Sequence, residues 1–100
     1  MNILAGATTD LRWDAATKGY KPAAEVADGP TFTIRALDFW QAQGVIDQTM
    51  PAVDRIRNGL RDGLVAIDGD AAKAAEFVKS PRATLVNDLF NEIMAAASGN

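Results

Sequence analysis

Thirteen acidic and ten basic side chains, with no histidine and no cysteine, are the material with which this 100-residue chain can do chemistry. Histidine is the commonest general base and metal ligand near neutral pH, and the cysteine thiolate is the usual nucleophile or soft ligand. Without either, a catalytic triad, a zinc site built on thiolate or imidazole, a two-histidine iron site and a disulfide framework are all excluded. What remains is carboxylate chemistry. Paired carboxylates perform acid–base work when burial among apolar groups raises the pKa of one of them. Here the acids fall on polar positions of amphipathic stretches and none sits inside an apolar run. No catalytic residue and no cofactor is assigned, and the chain is not expected to be an enzyme.

Two clusters need a closer look. Asp68-Gly69-Asp70, followed by Glu76, has the look of a calcium loop. An EF-hand places oxygen ligands at alternating positions and a bidentate Glu at the twelfth. The fifth position would be Ala72 and the twelfth Lys79. The segment therefore reads as a turn that caps the next helix, not as a metal site. Arg55, Arg57 and Arg61 give one helix a basic side, which Asp54 and Asp62 partly neutralise. A formal net charge of -3 also opposes phosphate-backbone binding, so a small DNA-binding regulator is a remote alternative.

The elements that must position these residues change character near Thr31. Residues 1–30 hold Gly6, Gly19, Gly29, Pro22 and Pro30 and few bulky apolar side chains. They read as a loop-rich N-terminal segment with a weak strand signal at Leu11-Arg12-Trp13 and a turn at Lys18-Gly19-Tyr20-Lys21-Pro22. Residues 31–35 alternate, with Phe32 and Ile34 on one face and Thr31, Thr33 and Arg35 on the other, which predicts a strand. Residues 11–13 are its expected partner.

From Asp38 onward the period is helical. Asp38 caps a helix over 39–48, and Pro51 opens another in which Val53, Ile56, Leu60, Leu64 and Ile67 recur every three or four residues. Gly59 and Gly63 read as soft spots in that helix. Asp68-Gly69-Asp70 ends it and starts a short helix to about Val78. Ser80-Pro81 then opens a last helix over 82–97, stopped by Ser98-Gly99-Asn100. The expected fold is mainly α, a small N-terminal β element followed by four helices packed as a small bundle, in one domain with 31–100 as its body. Much of the apolar content is alanine, so stability on the order of 5 kcal/mol is expected.

The last helix carries Leu85, Val86, Leu89, Phe90, Ile93 and Met94, a stripe about half the circumference wide. That exceeds one packing face. One edge is therefore expected to stay available to an apolar partner, with Leu89, Phe90, Ile93, Met94 and Trp40 as the candidate protein-binding residues. The same surplus makes self-association into a homo-oligomer an open possibility. No apolar run approaches the roughly 18 residues of a membrane span, and residues 1–7 lack the pattern of a signal peptide, so a cytoplasmic protein is expected.

Three segments, Phe32-Thr33-Ile34-Arg35-Ala36-Leu37, Gly63-Leu64-Val65-Ala66-Ile67-Asp68-Gly69 and Leu85-Val86-Asn87-Asp88-Leu89-Phe90-Asn91-Glu92-Ile93-Met94, follow one another in an order that resembles the small tail assembly chaperones of long-tailed, siphovirus-like phages and prophage elements. The likeness spans residues 31–98 and is one of pattern. It implies a chaperone that binds and solubilises the apolar, helical tape measure protein. Such a chaperone also helps recruit tail tube subunits, and it is absent from the finished virion. The competing expectation is a structural tail or head–tail connector component that stays in the particle.

Overall fold

Thr31–Arg35 forms a strand, β3, with Phe32 and Ile34 buried and the alternate side chains half-exposed. The computed structural model, which describes residues 8–97, places this strand in the interior of a sheet. The readings made for residues 1–7 and for Ser98-Gly99-Asn100 lie outside the described residues. On one side β3 pairs antiparallel with β1 (Thr8–Asp14), Leu11 opposite Phe32 and Asp10 opposite Thr33, so the expected partner segment is the one found. β1 then turns back through residues 15–18 into β2 (Gly19–Pro22). Asp14 holds that turn. Its carboxylate accepts from the Ala16 amide at 3.0 Å and the Thr17 hydroxyl at 3.1 Å and pairs with Lys21 at 3.2 Å. On its other side β3 pairs antiparallel with β4 (Leu64–Ile67), giving the strand order β2-β1-β3-β4.

The described residues are thus α+β, a four-stranded antiparallel sheet with four α-helices, and not a helical bundle with a small β appendage. Two segments account for the difference. Gly19–Pro22 carries turn residues at both ends, yet pairs along β1 as an edge strand, where Pro22 at its end needs no ladder donor. Leu64–Ile67 continues the helical spacing of the preceding residues, but the helix stops at Gly63 and the next four residues extend along β3. A four-residue strand is too short for its own period to compete with a helical one.

Two of the helices begin on the aspartate caps expected of them. Helix α1 (Phe39–Ile46) starts on a capping box: the Asp38 carboxylate accepts from the Gln41 amide at 2.7 Å, and the Gln41 side chain accepts from the Asp38 amide at 3.1 Å. Helix α2 (Ala52–Gly63) follows Pro51, and α3 (Ala71–Lys79) follows Asp70, whose carboxylate accepts from the Ala72 amide at 2.8 Å. Asp68 has a left-handed φ of 53° and bonds the first residue of β3 from both its amide and its carboxylate. Asp68 and Asp70 therefore serve the turn as capping and bridging groups. Helix α4 (Ala83–Ala97) starts just after Ser80-Pro81.

One face of the sheet is covered. Helix α4 lies against β2 and β3, α2 packs beside α4, α1 rests on α2, and α3 flanks β4. Edge-to-face ring contacts run across this inner face from Trp13 to Tyr20, Phe32 and then Phe77 of α3, with centroids 5.2–5.6 Å apart. The Tyr20 hydroxyl donates to the Leu85 carbonyl at 3.3 Å, tying the edge strand to α4. Burial, with the Asp88 charge added, pushes the Tyr20 phenol well above its ordinary pKa. Leu60, Leu89 and Ile93 close the centre, with almost no exposure.

The approach of α2 to α4 depends on Gly59 and Gly63. A Cβ on Gly59 would lie 2.5 Å from Phe90 Cε1, and one on Gly63 would lie 2.9 Å from Ile93 Cδ1. Besides weakening the helix locally, these glycines are contact points between helices, because a hydrogen at Cα lets the two axes approach. The outer face of the sheet is polar and internally paired. Arg12 donates to Thr31 Oγ1 and to the carbonyls of Ala23 and Val26, and Thr33 donates to Asp10.

Candidate protein-binding groove

Large apolar side chains stay exposed on α1 and at the start of α2. Among the described residues these are Phe39 and Trp40 at the start of α1, Ile46 at its end, and Val53 in the first turn of α2. Each has a local cause. Phe39 and Trp40 are neighbours in a capped first turn, so they point about 100° apart and cannot both reach one core. They stack edge to face at 5.1 Å and remain 66% and 78% exposed. Along α2 the apolar positions enter the interior progressively: Val53 is exposed, Ile56 half-buried and Leu60 buried.

Between the C-terminal end of α1, the first half of α2 and the outer side of α4 lies an open groove of about 400 Å³. Val45, Ile46, Ala52, Ile56, Phe90 and Met94 line it, with Gln48 and Arg55 as its polar members. Its walls are tied together. Asn58 Nδ2 donates to the Gly44 carbonyl at 3.0 Å, joining α1 to α2, and Arg35 Nε donates to the Asp62 carbonyl at 2.7 Å, joining the end of β3 to α2. The connection at one end of the groove is a tight turn in which Asp47 Oδ1 accepts from the Thr49 hydroxyl at 2.6 Å and the Thr49 amide at 3.0 Å. Those two bonds, with the Arg55 charge adding to them, hold the Asp47 carboxyl below its ordinary range. This is a concave apolar surface with a few polar groups at its margin, the form taken by sites for an amphipathic helix.

The five side chains singled out in the sequence divide three ways. Leu89 and Ile93 are fully buried, so they hold the fold and present nothing to a partner. Phe90 and Met94, one position further round the same helix, are half-buried and line the groove. Trp40 is exposed but stands outside the lining, on the first turn of α1. Sequence reasoning missed Phe39, Ile46 and Val53 as surface residues and Arg55 as a groove residue. For Phe39 a signal was present, since two adjacent bulky rings after an N-cap cannot share a face. For Arg55 there was none, because its place among charged residues suggested an open face.

Among the described residues no helix is long and apolar enough to cross a membrane. Comparison with protein-family models, with curated proteins and with solved structures finds no match.

Proposed function

We propose that this chain is a protein-binding domain of the tail assembly chaperone type, which takes apolar segments of the tape measure protein into the groove between α1, α2 and α4. It keeps that client soluble while tail tube subunits gather, acting in the host cytoplasm and leaving before the virion is complete. The observation that carries the reading is the groove itself. Phe90, Met94, Ile56 and Ile46 surround an open concavity, and Phe39, Trp40 and Val53 stay exposed on the two helices, α1 and α2, that form part of it. Open apolar concavities of this kind are where proteins take up apolar partners. The acidic balance supports solubility of a complex with an apolar client. The order of segments that resembles the tail chaperones supports the particular client. Many copies along one long client would be held by effective concentration as well as by individual affinity.

The test is co-expression with the largest helix-rich protein encoded just downstream, reading the fraction of that protein which stays soluble and co-purifies. Wild-type chain is expected to bring the client into the supernatant at several copies per client. Phe90→Asp and Met94→Asp are expected to lose it while keeping the fold by far-UV circular dichroism. A client that stays insoluble with wild-type chain, together with detection of the chain in purified virions, would replace this reading with that of a structural particle component.

A further inference from the structure

Helix α2 has a second apolar flank, where it meets α3. Two open hollows follow one another along that seam. The first, of about 120 Å³, lies between Val53 of α2 and Val86 of α4, and the second, of about 370 Å³, between Val65 of β4 and Ala75 of α3. Val78 and Lys79 border both, so the hollows share a wall. Their charged members are all cations: Arg57 in the first, Arg61 in the second and Lys79 in each. Among the described residues no carboxylate lines either hollow, although the chain carries a formal net charge of -3. Arg57 pairs with Asp54 at 3.7 Å and Arg61 with Asp62 at 3.1 Å, but both arginines stay largely exposed, and such pairs hold a cation weakly. Lys79 is exposed and has no ion pair among the described residues.

We propose that this seam docks an acidic amphipathic helix of a second protein, whose apolar side chains enter the two hollows while its carboxylates meet Arg57, Arg61 and Lys79 at the rim. The proposal stands on the α2–α3 seam alone and does not depend on the client reading. Concave hollows take side chains that protrude from a partner, whereas a flat lipid surface would meet only the cations. Along α2 the first hollow runs from Val53 to Leu60, and the second from Arg61 to Leu64, so their centres stand about 9 Å apart at the rise of a helix. Side chains at i and i+7 of a docked helix lie about 10 Å apart and reach both. Lys79, on the shared wall, is placed to meet a carboxylate on the turn between those anchors. A basic helix would set its charge against three cations, and a neutral one would fill the hollows without using them. Charge then decides which helix is admitted, and the apolar lining how firmly it is held.

The experiment uses the full chain and designed helical peptides, fluorescein-labelled, with leucines at i, i+4 and i+7 and Glu, Gln or Lys at the flanking positions. Binding is read by fluorescence anisotropy. The Glu peptide is expected to bind about tenfold more tightly than the Gln peptide at low salt, with the preference falling below about threefold near 0.5 M salt. The client groove shares Ile56 with the first hollow, so the variants avoid that residue. Lys79→Glu is expected to weaken the Glu peptide about fivefold or more and leave the Gln peptide within about twofold. Ala75→Leu, at an exposed position, fills the second hollow and is expected to weaken both peptides about fivefold or more. Phe90→Asp, in the groove, is expected to leave the Glu peptide within about twofold of wild type. Glu, Gln and Lys peptides of equal affinity, or no binding by any of them, would overturn the proposal. Binding lost with Phe90→Asp and kept with Ala75→Leu would put the peptides in the groove and overturn it too. Binding to phosphatidylglycerol vesicles that Lys79→Glu breaks and the Glu peptide does not compete with would assign the cations to a lipid surface, against the proposal. None of these outcomes touches the client reading, which co-expression tests by itself.

Discussion

Helix α4 carries two parallel rows one residue apart, and they do different work. Leu85, Leu89 and Ile93 face the sheet and are buried, the last two completely. Val86, Phe90 and Met94 lie about 100° further round, are half-buried, and the last two form one wall of the groove. The first row meets β2, β3 and α2, with Phe32, Leu60 and Leu64 closing around it. In the second row Phe90 meets Gly59 of α2, and Val86 borders a smaller concavity shared with Ile56 of α2 and Val78 of α3. The same residue types therefore hold the fold on one side and present a surface on the other. What separates them is how much of the chain lies opposite. The sheet supplies a broad partner for the first row, and α1, only eight residues long, cannot cover the second.

The sharpest test of this contrast is a matched pair of truncations. Ile93→Ala removes a side chain with no exposure and leaves a cavity, and it is expected to cost about 2–5 kcal/mol. Met94→Ala, its immediate neighbour, is expected to cost on the order of 1 kcal/mol. Urea denaturation gives both numbers, with an unchanged slope showing that the denatured state is not at issue. Equal losses would mean that the second row is core and that no surface is being presented.

That division was only partly legible in the sequence. The width of the apolar stripe on α4 shows that it has more than one side. Spacing alone does not say which side faces inward, because Leu89 and Phe90 belong to the same pattern. The long-range partner of the stripe decides it, and that partner is a sheet two of whose strands leave little local trace. Leu64–Ile67 keeps helical spacing after Leu60, and only pairing with β3 draws it out as a strand. Gly19–Pro22 is bounded by the residues that mark turns. What was legible is governed by local chemistry. Asp38 and Asp70 start helices through their own carboxylates, and Phe32 and Ile34 alternate strongly enough to declare a strand and its buried face.

The two glycines of α2 offer a smaller version of the same comparison, since each faces one of the two rows. Gly63 meets Ile93, which is fully buried and cannot move aside. Gly63→Ala must therefore push α2 and α4 apart, and is expected to destabilise by about 1–3 kcal/mol. Gly59 meets the ring of Phe90, whose far side borders open space. In Gly59→Ala the ring can swing outward, and the gain in helix propensity, about 1 kcal/mol, offsets the strain. Its stability is expected to stay within about 1 kcal/mol of wild type by urea midpoint. Client capture should fall instead, because the displaced ring narrows the groove. If Gly59→Ala proves as destabilising as Gly63→Ala, Phe90 is held as firmly as Ile93 and the two rows are not distinct.

The smallest stability effect is expected at Trp40, where it defines how far the working surface extends. Trp40 is 78% exposed and touches Phe39 rather than the core, so Trp40→Ala should change the urea midpoint by no more than about 0.5 kcal/mol would. It stands five residues before Val45 on α1, about 7–8 Å along the helix axis from the groove lining. A client helix longer than two turns that filled the groove and ran along α1 would reach it. A tryptophan that becomes desolvated on binding commonly contributes 2 kcal/mol or more, a loss of about thirtyfold in affinity when it is removed. Soluble client recovered with Trp40→Ala can be compared directly with that recovered with Phe90→Asp. Comparable losses would join the exposed rings of α1 to the groove as one surface. Full recovery would confine binding to the space bounded by Val45, Ile56, Phe90 and Met94. The exposed aromatic pair would then be a consequence of where Asp38 starts the helix, because the cap fixes the direction of the first turn whether or not a partner waits for it.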